Sequence, residues 1–195
     1  MDVIRLSQEW KVKEPLARGG FASVFLAEAE DGSEAVVKLI PKEPGADREL
    51  LFGDIPKDVP NVLPVLDKGE WDDKLVLVMP KAEQSLRQHL DAKGQLEAGE
   101  AVAILLDVAI ALQGLHGKVV HRDLKPENVL FYGGHWVLAD FGIARYAEAS
   151  TAPDTRKHAM TPGYAAPEQW RSEHATSATD VYAFGVMAFE LVEGS

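Results

Sequence analysis

The run His121-Arg122-Asp123-Leu124-Lys125-Pro126-Glu127-Asn128 places a carboxylate, an ammonium and a carboxamide close together along the chain. A second carboxylate, Asp140 of Asp140-Phe141-Gly142, follows 12 residues after Asn128. These are the side-chain types that phosphoryl transfer uses. One carboxylate orients and deprotonates a hydroxyl, one ammonium neutralises a phosphate, and an amide with a second carboxylate offers hard oxygens to Mg²⁺. Either short motif alone would be read as a solvated turn. Their occurrence together and in order, with further motifs on both sides, is not what chance supplies.

The elements that must position these residues fall into two groups. Residues 10–40 read as three short strands, with Val24-Phe25-Leu26-Ala27 and Ala35-Val36-Val37-Lys38-Leu39-Ile40 flanking the turn signal Asp31-Gly32. Residues 46–53 suggest a short helix ended by Gly53. Val62–Leu66 and Leu75–Met79 read as two more strands, separated by Gly69 and Asp72-Asp73. Beyond Pro80 the pattern becomes helical. Ser85 is placed to cap a helix that begins at Leu86. Residues 97–116 and Val181–Val192 are apolar nearly all round, so both helices are expected to be buried.

With these motifs in place, the chain resembles the eukaryotic-type (Hanks-type) Ser/Thr protein kinase catalytic domain, over essentially all 195 residues. The resemblance implies an α+β, two-lobed protein-kinase-like fold. Residues 1–82 would form an N-lobe with a small antiparallel β-sheet, and residues 83–195 a helical C-lobe lacking its last helices. It implies ATP as phosphoryl donor, Mg²⁺ (with Mn²⁺ as a substitute) and a Ser/Thr-bearing protein as acceptor. Leu16, Ala17, Gly19, Gly20, Ala22 and Val24 resemble the glycine-rich loop, although Ala17 and Ala22 stand where the family has glycines. Lys38 resembles the phosphate-binding lysine, with Glu49 as its expected helix partner. Met79, Pro80 and Ala82 resemble the hinge that reads adenine. Pro80 lacks an N–H, but only its C=O is needed there.

The same resemblance assigns Asp123 as base and hydroxyl positioner, Lys125 as contact to the γ-phosphate, and Asn128 and Asp140 as Mg²⁺ ligands. Thr161, in Thr161-Pro162-Gly163-Tyr164-Ala165-Ala166-Pro167-Glu168, would face Asp123 and Lys125. Arg122 would answer a phosphorylated loop residue, with Thr155 and Thr151 as candidates. Asp180 would hold the backbone of the catalytic loop. His121 and Phe141 read as packing residues.

Composition sets the outer bounds. Thirty-one acidic against 20 basic residues give a net charge of −11, and no basic stripe suggests nucleic acid as a partner. There is no cysteine, which excludes disulfides and thiolate sites and agrees with a cytoplasmic setting. No run of 18 apolar residues is present, so no membrane segment is expected within these residues. The oligomeric state is left open. The chain stops just after the helix near Asp180, where the resemblance implies further helices. The expectation is a truncated domain with an exposed apolar patch, a Glu168 lacking its arginine partner, and a tendency to aggregate. A non-catalytic, pseudokinase-like binding module and a small-molecule phosphotransferase are the competing functions. The complete Lys38, Asp123, Asn128 and Asp140 set argues against the first, and Lys-Pro-Glu with Ala-Pro-Glu against the second.

Overall fold

The structure is a computed structural model that describes residues 3–18, 22–42, 59–141 and 161–194. Six antiparallel strands form the first sheet: β1 (Val3–Arg5), β2 (Glu9–Arg18), β3 (Ser23–Glu28), β4 (Glu34–Pro41), β5 (Asp67–Trp71) and β6 (Lys74–Pro80), in the order β1-β2-β3-β4-β6-β5. Alternation along β4 decides what each residue faces. Ala35, Val37 and Leu39 join Ile4, Trp10 and Val78 in one core, and Lys38, between two of them, points to the opposite face. The β3–β4 turn is closed by the Asp31 carboxylate, which accepts from Ser33 N at 2.9 Å, while Gly32 takes φ 86°.

The strand expected at Val62–Leu66 is found instead at Asp67–Trp71. Val62 makes only an isolated parallel bridge to Leu138. The apolar run misled because Pro64 interrupts it and because β5 carries a buried carboxylate inward. Asp67 Oδ2 accepts from Trp10 Nε1 (2.9 Å), Ser7 Oγ (2.7 Å) and Ser7 N (3.1 Å). Burial alone would raise its carboxyl. Together these donors outweigh burial and hold it below the ordinary value.

The helical part begins with β7 (Gln84–Ser85), which leads directly into α1 (Leu86–Lys93). Ser85 caps α1 reciprocally: its Oγ accepts from Gln88 N, and the Gln88 side chain accepts from Ser85 N. α2 (Ala98–Leu115) is followed by a 3₁₀ turn (Pro126–Asn128) and the β8 (Val129–Tyr132)–β9 (His135–Leu138) hairpin, which pairs with β7. The short α3 (Pro167–Trp170) and α4 (Ser177–Glu193) complete the described elements. The core here packs Leu86, Ile104, Val108, Leu138, Phe141 and Met187 together.

Neither long helix is buried all round. α2 buries the stripe Ala101, Ile104, Val108, Ala111 and Leu115, while Val102 (64%) and Leu106 (60%) are exposed. α4 buries Ala183, Met187 and Leu191, while Val181 and Phe189 lie exposed, as the expected apolar patch required. The reason is geometric: one helix face meets the core, whatever the composition of the other. By length and composition α2 could cross a membrane. Its buried stripe packs among the core residues of β9 and α4.

The two parts meet at a clasp. Leu63 N donates to Leu138 O and Leu138 N to Asn61 O, both at 2.8 Å. Asn61 Nδ2 donates to Asp107 Oδ1 on α2 (2.9 Å), whose Oδ2 accepts from Trp136 N (2.9 Å). Gly114 leaves room for Val59: a Cβ there would lie 2.5 Å from Val59 Cγ1.

Candidate active site

The catalytic loop is held mainly through its backbone. Asp180, in the first turn of α4, accepts from His121 N and from Arg122 N, each at 2.8 Å. Burial pushes its carboxyl above the ordinary value against the pull of these two donors. Arg122 takes φ 71°, the left-handed region that non-glycine residues occupy only when their surroundings impose it. Its carbonyl accepts from Gln169 Nε2 at 2.8 Å. His121 is fully buried, tilted against Phe141 with ring centroids 4.6 Å apart. Its Nε2 lies 2.8 Å from Ala139 O, which makes it the donor nitrogen, and Nδ1 accepts from Asp123 N at 3.4 Å. His121 and Phe141 therefore pack, as expected.

Asp123 projects from this frame into a small polar cluster. Asn128 Nδ2 donates to Asp123 O (2.7 Å) and Oδ2 (3.1 Å). Lys125 Nζ lies 2.8 Å from Asp123 Oδ2 and donates to Thr161 Oγ1 at 2.6 Å. Thr161 Oγ1 donates in turn to Asp123 Oδ1 at 2.8 Å. A hydroxyl thus sits against one carboxylate oxygen, and the ammonium reaches both the hydroxyl oxygen and the other carboxylate oxygen. That is the arrangement in which a carboxylate orients an alcohol for attack.

Across the cleft, Lys38 Nζ meets Asp140 Oδ2 at 2.8 Å. Desolvation alone would raise the Asp140 carboxyl. The Lys38 charge and hydrogen bond overcome it, so the carboxyl stays below the ordinary value of 3.8. Asp140 also adopts a left-handed φ of 67°. Asn128 spends Nδ2 inside the loop, which keeps Oδ1 as its ligating atom, and Asp140 pairs through one of its two oxygens. A site with one amide and one carboxylate oxygen suits a hard cation that draws its remaining ligands from phosphates and water. These residues fit Mg²⁺. Among the described residues no group of three or more His, Cys, Asp or Glu forms a cage of its own.

The expected nucleotide residues line up along the sheet. Ala17 pairs with Val24, and Val24 pairs with Lys38 on β4. Leu16 is exposed at 47% and Ala22 is half-buried. Met79 is buried beside Leu63, Val137 and Ala139, and Pro80 ends β6 opposite Ala35. Ala82 follows, half-buried. Gly19, Gly20, Glu49, Thr151 and Thr155 lie outside the described residues, as does the helix expected at residues 46–53.

Sequence reasoning missed a second network. Arg87 of α1 donates through Nη2 to Tyr164 Oη (2.9 Å) and to Glu190 Oε1 of α4 (2.7 Å), and Tyr164 donates to Glu190 Oε2. Burial would lower the Arg87 guanidinium, but the Glu190 carboxylate outweighs it and raises it; burial and Glu190 also push the Tyr164 hydroxyl up. Glu168 finds Thr179 as partner at 2.6 Å. Gln169 and Asp107 were missed as well. Each has a backbone partner distant in sequence, Arg122 O for Gln169 and Trp136 N for Asp107, and no spacing signal marks such pairs.

A two-lobed fold with this cluster in its cleft is the architecture of the kinase class. The protein kinase domain family matches residues 10–195, and the chain belongs to that family. It is 32% identical to the serine/threonine-protein kinase PrkC of Bacillus subtilis and 33% identical to PkaA of Streptomyces coelicolor. Each alignment covers 97% of this chain, but the chain spans only 31% and 39% of those relatives' lengths. Among solved structures, the PknI kinase domain of Mycobacterium tuberculosis superposes with a TM-score of 0.72 at 25% identity, covering 98% of this chain and 76% of that one.

Proposed function

We propose that this chain transfers the γ-phosphoryl group of ATP to Ser or Thr hydroxyls of proteins. The observation that carries the reading is the Asp123–Thr161–Lys125 triangle, in which an alcohol already donates to the carboxylate and accepts from the ammonium. In the transfer, Asp123 Oδ would receive the hydrogen bond of the substrate hydroxyl and then its proton. Lys125 would contact the phosphoryl oxygens. Lys38 would exchange Asp140 for the phosphates of the nucleotide. Asn128 and Asp140 would hold Mg²⁺, which supplies charge stabilisation between the phosphates. Lysine at Lys125 together with Thr161 supports Ser/Thr rather than Tyr as acceptor. The backbone network around His121 and Arg122 keeps the base in register, so little reorganisation is left for the moment of transfer.

The test is Mg²⁺-dependent transfer from γ-labelled ATP to a Ser/Thr peptide. Asp123→Asn should lower the rate by roughly 10²–10⁴-fold with nucleotide affinity retained. Wild-type chain that binds ATP and transfers nothing would favour a binding module.

A further inference from the structure

We infer that Gln169 is a positioning residue for the transfer, its carboxamide coupling the peptide that carries the base to the turn that carries Thr161. This rests on the proposed reaction only for its kinetic readout. Nε2 donates to Arg122 O at 2.8 Å, 47 residues away in sequence, and Oε1 accepts from Ala166 N at 3.0 Å. The Arg122 carbonyl and the Asp123 N–H belong to one planar peptide unit, so holding that carbonyl fixes the plane from which Asp123 departs. The need for a hold is visible in Arg122 itself, a non-glycine residue at φ 71°. Asp180 grips the N–H side of Arg122, and Gln169 grips the carbonyl side.

At its other end the amide reaches a buried segment. Ala166 is fully buried, and just before it Tyr164 N and Ala165 N both donate to Thr161 O at 3.0 Å. Asp123 and Thr161, which meet at 2.8 Å, are therefore joined a second time through one side chain held at both ends. The amide geometry matters here: one end must donate and the other accept. A glutamate side chain at this position would keep the acceptor for Ala166 N and set two oxygens against each other at Arg122 O. A methionine side chain would keep the volume and lose both bonds. Neither change touches the sheet, the hinge or Lys38.

The experiment compares wild-type chain, Gln169→Glu and Gln169→Met. Because small misplacements of a reacting group cost up to about 10²-fold, Gln169→Glu should lower kcat roughly 10–100-fold with KM for ATP unchanged. The introduced carboxyl can donate again once protonated, so the mutant-to-wild-type kcat ratio should rise as pH falls from about 8 to about 6. Independently of turnover, hydrogen exchange in the peptide spanning residues 119–128 should quicken about ten-fold in Gln169→Met, with the β-sheet unchanged. Wild-type kcat in Gln169→Glu together with unaltered loop exchange would overturn the inference. An inactive wild-type chain whose loop exchange still responds to Gln169→Met would remove the proposed reaction and leave the coupling standing. Should thermal melting show global loss of structure in Gln169→Met, loop exchange and kcat in Gln169→Glu, whose Ala166 contact is preserved, decide the matter in the same way.

Discussion

On the catalytic-loop side of the cleft, the segment carrying Asp123 is gripped at several backbone atoms: His121 N and Arg122 N by Asp180, Arg122 O by Gln169, and Asp123 O by Asn128. On the sheet side, Lys38 Nζ is held among the described residues by one carboxylate oxygen of Asp140. Under the proposed transfer, the difference follows from what each group would have to do. A base that accepts a proton has to stand still, and side chains anchored elsewhere in the fold that bond the backbone around Asp123 supply a fixed frame. A lysine that must trade a carboxylate for a phosphate has to be released. The Lys38–Asp140 ion pair, with its carboxylate partly exposed, is strong enough to preset the lysine and weak enough to exchange.

The sharpest way to break this comparison is Asp180→Ala. It leaves two amide donors near the base without their acceptor, and the expected loss is roughly 2–5 kcal/mol of stability. Urea unfolding monitored by tryptophan fluorescence measures it. A loss under about 0.5 kcal/mol would show that the loop does not depend on this frame. The junction between the two sides comes next. Gly114→Ala places a Cβ 2.5 Å from Val59 Cγ1, and overpacking of this kind costs about 1–3 kcal/mol. Adding Val59→Ala should restore most of the melting temperature. Failure of that rescue would place the strain elsewhere.

Lys38→Met should have the smallest effect on stability, about 1–2 kcal/mol, because its partner is partly solvated. Its informative consequence is a change of sign with pH. In the wild-type chain the Asp140 carboxyl titrates below 3.8, so its contribution to stability is present above that value and is lost as pH falls through the lower, folded value. Without the Lys38 charge, burial dominates and the carboxyl titrates above 3.8. Its contribution then weakens as pH rises through that window. Carboxyl carbon NMR of Asp140 reads both cases, and an unchanged midpoint would mean that Lys38 does not set this group.

These contrasts also explain what could be read from the sequence. Asp123, Lys125 and Asn128 were legible because they lie in one short run, where residue type and spacing express the chemistry directly. Lys38 was legible because an ammonium inside an apolar strand demands a partner. Gln169 and Asp107 were not, since each acts on backbone atoms more than 20 residues away and looks like an ordinary polar residue in its own segment. β5 was misplaced because strand reasoning favours apolar runs, while the residue turned inward here is Asp67, satisfied by Trp10 and Ser7. The outer faces of α2 and α4 were expected to be buried because composition reports how apolar a helix is, not which side meets a neighbour.

The most direct test of the account is a paired measurement on Asp123→Asn and Lys38→Met: nucleotide affinity by titration with Mg²⁺–ATP, and transfer to a Ser/Thr peptide under saturating nucleotide. Asp123→Asn should bind nucleotide as the wild-type chain does and lose transfer by roughly 10²–10⁴-fold. Lys38→Met should lose both affinity and transfer while its catalytic loop keeps wild-type hydrogen exchange. Wild-type transfer by Asp123→Asn would contradict the account.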